Sequence, residues 1–251
     1  VYEYGDSFQS AGMVVKATYS DGATANVTGY SCSPTVLSTV GTQTITVSYT
    51  ENGVTKTATT SVTVNRKTIS AVPSQSGTLT YNGGSQSPTW NNYSTTQLTI
   101  GGTTSGTNAG SYTATFTPKS NYRWSDGSTT PKSVSWSIGK AAGSLSISPA
   151  SMTLDTTTKS KTITVTRSGN GTISAVSSNT AAATVSVSGN TVTVTGKANG
   201  SAKITISVAA GTNYTAPASK TCAVTVSFLK DNFADNDWAS IIAACHSGSV
   251  P

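Results

Sequence analysis

Hydrophobic residues in this chain come singly, every second position. From Thr44 to Tyr49, Ile45, Val47 and Tyr49 alternate with Thr44, Thr46 and Ser48, the two-residue period of a half-buried strand. Glu51-Asn52-Gly53 interrupts the alternation, and Asn-Gly accepts the positive φ values of a tight hairpin turn. The returning arm ends with Val62 and Val64 facing inward. A hairpin of this size must cover its apolar face with a second sheet. The period then recurs in Tyr112, Ala114 and Phe116, in Val134, Trp136 and Ile138, and in Ile163 and Val165. It appears again in Val185 and Val187, Val192 and Val194, Ile204, Ile206 and Val208, and Val224 and Val226. Turn signals separate these runs at Ser20-Asp21-Gly22, Tyr81-Asn82-Gly83-Gly84, Asn108-Ala109-Gly110 and Ser188-Gly189-Asn190, as expected for strands joined by short loops. One stretch departs from the rule. Trp238, Ile241, Ile242 and Cys245 fall at i, i+3, i+4 and i+7 behind Asn236 or Asp237, with Gly248 just beyond, and predict a short capped helix.

The spacing divides the chain into modules at 1–65, 66–140 and 141–227, followed by 228–251 as the helical start of a further, truncated domain. Asn65-Arg66-Lys67 and the run from Lys140 to Gly143 are the linkers. The expectation is an all-β chain of three tandem sandwiches in an extended array, each with a packed core of its own. The first module, from Tyr4-Gly5-Asp6 through Val14 to Gly22 and Val27-Thr28-Gly29-Tyr30 to the closing hairpin, resembles a bacterial immunoglobulin-like domain of group 3. TYNGGSQSPTW, TNAGSYTATFTP and NYRWSDGSTTPKSVSWSIGKA resemble the MBG-type repeat domains of bacterial surface proteins. SSNTAAATVSVSGNTVTVTGKANGSAKITI and CAVTVS resemble the bacterial immunoglobulin-like domain of group 2. These resemblances imply Greek-key sandwiches used as building blocks in surface or phage structural proteins, with no catalytic residues to carry over. The phrase running from Asn236-Asp237-Trp238 to Val250-Pro251 is similar to the entry of a small domain that follows such sandwiches in surface and prophage tail proteins.

Composition agrees with the pattern. Only 10% of residues are charged, so solubility rests on hydroxyls and amides, which suits an extracellular β protein. The net charge of +6 is uneven: 1–65 carries two basic residues against four acidic, whereas 66–140 and 141–227 each carry six against one. The basic residues are scattered, which favours a solvated surface and at most weak attraction to polyanions. They form no stripe interleaved with aromatics of the kind nucleic acid requires. Three cysteines, Cys32, Cys222 and Cys245, do not pair within any module, so the sandwiches hold by packing; a Cys222–Cys245 bridge stays open. No apolar run reaches the length of a membrane-spanning helix. The chain opens without Met on a strand-like stretch and reads as a fragment of a longer polypeptide.

Candidate chemistry is sparse. Cys245 and His246 are sequence neighbours and point about 100° apart on a helix, so they make no working dyad. His246 is the sole histidine, and three scattered cysteines do not make a zinc site. Acidic residues sit mostly in turns, without the paired carboxylates of a glycosidase or the converging oxygens of a calcium cage. No catalytic residue, cofactor or metal is therefore expected. The ligand platform that remains is aromatic: Tyr93, Tyr122 and Trp124 in the middle module, where exposed rings would stack on sugars, although Trp124 also fits the core. The leading expectation is a non-enzymatic structural or adhesive stalk, on a cell surface or a virion, that projects another domain of its parent chain. The alternatives are direct binding of cell-wall, cell-surface or mucin glycans, and an accessory stalk of a secreted polysaccharide hydrolase.

Overall fold

A computed structural model of the chain describes residues 1–228; the helix expected near 236–245, with Cys245 and His246, lies outside them. The described chain is all β. Its first strands are β1 (Tyr2–Glu3), β2 (Val15–Thr18), β3 (Thr24–Val27), β4 (Ser31–Ser33), β5 (Gly41–Glu51) and β6 (Val54–Asn65). One sheet runs in the order β1-β6-β5-β4, and β2 and β3 pair as a separate hairpin. β5 and β6 stay in register from Gly41↔Val64 to Glu51↔Val54 without a bulge. Asn52 and Gly53 turn the chain at φ 49° and 78°, the left-handed pair that matches the twist of the flanking strands. Leu37, Ile45 and Val64 form the buried centre, with Tyr2, Phe8, Cys32 and Val62 packed against it.

The middle strands are β7 (Lys67–Ile69), β8 (Ser74–Ser76), β9 (Leu79–Thr80), β10 (Thr89–Asn91), β11 (Leu98–Gly102), β12 (Gly110–Pro118), β13 (Tyr122–Trp124) and β14 (Lys132–Gly139). β11, β12, β14 and β9 make a four-stranded sheet, flanked by the pairs β10-β8 and β13-β7. Leu98, Phe116, Trp124, Trp136 and Ile138 are at most 2% exposed. Burial of the two indoles is possible because each N–H finds a carbonyl: Trp124 Nε1 donates to Thr130 O at 2.9 Å and Trp136 Nε1 to Thr103 O at 2.7 Å. An unpartnered buried N–H would be costly.

The last strands are β15 (Leu145–Ser148), β16 (Ser151–Asp155), β17 (Ser160–Arg167), β18 (Ile173–Ser177), β19 (Ala183–Ser188), β20 (Thr191–Gly196), β21 (Gly200–Val208) and β22 (Lys220–Ser227). They form two four-stranded sheets, β15-β17-β20-β19 and β16-β22-β21-β18. β15 ends before Pro149, and β16 resumes in the other sheet, parallel to β22. The β19–β20 hairpin closes through Gly189-Asn190, with Ser188 facing Thr191 and Gly189 at φ 55°. Between the two sheets lies a continuous core that includes Leu154, Ile163, Val192, Val194, Ile204 and Ile206, all fully enclosed, together with Cys222.

By packing, the chain falls into two compact units. Among the described residues, one comprises Val1–Leu79 and Gly83–Ile138, and the other Thr80–Asn82 with residues 139–228. The first unit thus holds both the first sandwich and nearly all of the middle one.

Candidate functional site

The three aromatic residues singled out in the sequence occupy three different environments. Trp124 lies in the core at 1% exposure, so its ring offers no face to a ligand, and the core reading of this residue is the correct one. β13 pairs with β7 so that Trp124 stands opposite Ile69, and this pairing directs its side chain inward. Its turn is held by Asp126, which accepts from Ser128 N at 2.8 Å and meets Lys132 Nζ at 2.7 Å. The bond from Lys132, then those from Ser128, hold the Asp126 carboxyl well below the usual carboxylate range.

Tyr122, two residues earlier, is half-buried against the first sandwich, its ring edge-on to Tyr4 with centroids 5.7 Å apart. Around this ring contact a polar cluster ties the two sandwiches of the first unit. Thr68 Oγ1 donates to Glu3 Oε1 at 2.9 Å, and Arg123 Nη2 lies 3.5 Å from the same oxygen. Within the middle sandwich, at its linker end, Arg66 Nε donates to Ser120 O and Lys67 N to Asn121 O, both at 2.9 Å. Glu3 and Arg123 are 120 residues apart in sequence, and no local pattern announces their meeting.

Tyr93 is also half-buried. One side of its ring meets Phe116 at 5.4 Å, and Phe116 in turn receives the edge-on ring of Trp90 at 4.9 Å. Tyr93 also lines a hollow of about 300 Å³ together with Thr68, Ile69, Ser70, Ala71, Asn92, Ser94 and Gln97. Asn92 sits at φ 58°, a left-handed position that asparagine tolerates better than most residues. Ser94 Oγ is engaged with Thr96 Oγ1 at 2.7 Å. The hollow offers one ring, two amides and several hydroxyls, which is a composition suited to a sugar face. Of the three rings, Tyr93 alone reaches this hollow.

A second opening escaped the sequence reading. In the first sandwich the β2–β3 hairpin stands over the turn end of β5–β6 and leaves a groove of about 500 Å³. Val15, Ala17, Val27, Val47, Tyr49 and Val54 line it, with Lys16, Glu51 and Lys56 among its polar residues. Tyr19 hydroxyl donates to Glu51 Oε2 at 3.0 Å, and that bond, ahead of desolvation and the carboxylate's charge, pushes the phenol pKa up. The signal was available. The positions of β6 on the face of Ile45 and Val47 are Thr60, Ala58 and Lys56, too polar for a strand whose whole length is covered.

The carboxylates of the described residues are structural in their contacts. Asp6 accepts from Glu3 N, Asp21 from Ala23 N, and Asp155 from Thr157 and Thr158 N. Among the described residues no three histidine, cysteine or acidic side chains gather closely enough to hold a metal ion. Burial raises the Cys222 thiol pKa, and Cys32 is half-buried.

Residues 1–64 match the family of bacterial Ig-like domains (group 3). No curated protein matches the chain. Among solved structures, surface layer protein SbsC, domains 1–6, is 16% identical with a TM-score of 0.32, over 91% of this chain and 39% of that one. The extracellular cadherin domains 1–5 of protocadherin gamma B2 are 11% identical with a TM-score of 0.29, over 87% of this chain and 51% of that one. An endo-fucoidan hydrolase, MfFcnA4, from glycoside hydrolase family 107 is 9% identical with a TM-score of 0.25, over 89% and 38%. The chain thus spans well under two thirds of each of these three structures, and such likenesses carry nothing about ligand or activity.

Proposed function

We propose that this chain is a non-enzymatic structural or adhesive stalk of β-sandwiches that works outside the cell, projecting another domain of its parent chain from a bacterial surface or a phage virion. The match of residues 1–64 to bacterial Ig-like domains supports the extracellular setting. The motifs quoted above for residues 66–140 and 141–227 extend the reading to MBG-type and group 2 modules. The observation that carries it is the junction inside the first unit. Glu3, Thr68, Arg123, Tyr4 and Tyr122 join two sandwiches through hydrogen bonds, an ion pair and a ring contact. A recognition module on a free tether has no use for such a joint, whereas a spacer transmits position and load only if its joints resist bending. The engaged state of every described carboxylate favours structure over acid–base chemistry.

A second reading rests on the hollow beside Tyr93: weak contacts to cell-wall, cell-surface or mucin glycans, multiplied by repetition on a surface. Co-sedimentation of the purified chain with Gram-positive cell walls and with mucin, at low and at physiological salt, separates the two. The stalk reading expects no saturable retention at physiological salt. Saturable retention that Tyr93→Ala abolishes, with Tyr122→Ala as the comparison, would replace it with direct glycan recognition.

A further inference from the structure

We infer that the outer edge of β6 is a self-association surface, on which a second copy of this chain adds its own β6 antiparallel, in the register centred on Ala58. The two-residue turn makes its flanking pair, Glu51 and Val54, hydrogen-bonded to each other. Along β6 the even-numbered residues therefore direct N–H and C=O toward β5, and the odd-numbered ones direct theirs outward. Tyr4 N donates to Asn65 O at 2.9 Å, which places an odd-numbered residue on the outer side as that parity requires. β1 meets this edge only at Val64 and Asn65. Among the described residues no strand covers it from Val54 to Val62, and Val54–Ser61 are all exposed. The outward amides and carbonyls of Thr55, Thr57, Thr59 and Ser61 remain as a template.

Natural edges of this length are normally blunted by proline, bulges, inward charges or cover. β6 has no proline and its register with β5 is unbroken; Lys56, on the face of Ile45 and Val47, is its one charge and the one blunting device it carries. Its sequence says what fits. Laid antiparallel on itself about Ala58, the segment from Val54 to Val62 sets Val54 against Val62, Thr55 against Ser61, Lys56 against Thr60 and Thr57 against Thr59. Odd meets odd, so each outward donor faces an outward acceptor. The apolar ends meet apolar ends, hydroxyls meet hydroxyls, and neither Lys56 faces a like charge across the dyad, all of which favour this pairing. Shifting the dyad to Thr57 sets Val54 against Thr60 and loses the valine pairs. The contact is smaller than a standard interface, so association is weak in solution and gains where many copies stand side by side.

Sedimentation velocity on the full chain, from low micromolar to near-millimolar concentration, tests this. We expect a reversible monomer–dimer equilibrium, and Thr57→Pro should raise its dissociation constant at least about tenfold. That residue's N–H points outward, so proline there removes a template donor while sparing the β5 ladder. Thr59→Pro repeats the test at a second position, and circular dichroism identifies which variant keeps its sheet. Ala58→Cys, which lies on the dyad, should cross-link into a disulfide-bonded dimer with oxidised glutathione beyond the level of the unmodified chain, whereas Val54→Cys should not. A chain that stays monomeric over the whole range leaves the edge to some other strand and overturns the inference, as does a dimer that survives in the folded proline variants. Failure of Ala58→Cys to cross-link overturns the register.

Discussion

The first and third sandwiches are written in the same alternating pattern, yet they close differently. The third places two four-stranded sheets face to face over sixteen buried residues. The first has one four-stranded sheet, a two-stranded hairpin and a buried centre of three. Alternation along a strand specifies which face is apolar. How much of that face is covered depends on the number and length of the strands that arrive opposite, and in the first sandwich β2 and β3, of four residues each, are too short for β5 and β6. The uncovered remainder of the face becomes the groove at the turn end, and the edge of β6 stays bare because β1 pairs with it only at Val64 and Asn65. A module can thus carry its interaction surfaces as places where its own sandwich is incomplete.

Core truncation should give the largest effects and tests the contrast directly. Ile204→Ala in the third sandwich and Ile45→Ala in the first each delete a fully enclosed side chain, which costs about 2–5 kcal/mol depending on how far the site can relax. The closed core leaves a cavity, so Ile204→Ala belongs near the upper end of that range. Beside the open groove Ile45→Ala belongs near the lower end, but it removes a larger share of its module's burial. Hydrogen exchange should show β5 and β6 amides opening almost freely in Ile45→Ala, while β21 and β22 stay protected, though less strongly, in Ile204→Ala. Equal losses of protection would mean that the first core is as closed as the third.

Backbone crowding gives the next effect. Gly171 is buried, and a Cβ there would run into the Ala209 carbonyl, so Gly171→Ala should cost the third sandwich about 1–3 kcal/mol, as overpacking does. Gly53 has open space where a Cβ would stand but sits at φ 78°. Gly53→Ala should therefore cost about 1–2 kcal/mol through conformation alone. Urea titrations followed by hydrogen exchange would assign each loss to its module. The same size of loss from opposite causes would show tight packing limiting one sandwich and turn geometry the other.

The parts of this fold that were legible in the sequence are those whose cause is local. Asn52-Gly53 announced the β5–β6 hairpin, and the valines and isoleucines of β17 to β22 announced the faces of the third core. The rest depends on partners remote in sequence. Trp124, Tyr122 and Tyr93 share a loop-rich stretch, and sequence alone grouped them as one platform. Pairing of β13 with β7 turned Trp124 into the core, the first sandwich met Tyr122 through Tyr4, and Phe116 took one side of Tyr93. The Glu3–Arg123 tie has no local signature at either end. The groove left a trace, since Lys56 and Thr60 are polar on an inward face, but alternation alone gave no reason to suspect a missing cover.

The smallest effect concerns what holds the open side of the first sandwich. Tyr19 ends the arm that leaves β2, and its hydroxyl donates to Glu51 at the end of β5, tying the two hairpins across the mouth of the groove. Folding raises the Tyr19 pKa above its ordinary value of 10.0, chiefly through this bond. A group whose pKa is raised in the folded state contributes stability that is complete below the unfolded value and is lost as pH climbs through the folded one. The tie should therefore hold at neutral pH and fail only in strong alkali, where a phenolate would face the Glu51 carboxylate. Because the pair is solvent-exposed, its contribution is small. The expected signature is local: in the unmodified chain, exchange at β2 and β3 amides should accelerate in the alkaline range beyond the intrinsic rise with pH. Tyr19→Phe should show that faster exchange already at neutral pH and no further alkaline step. If Tyr19→Phe and the unmodified chain exchange alike at neutral pH, the β2–β3 hairpin is held by Val15, Ala17 and Val27 rather than by this tie, and the first sandwich is less open than its groove implies.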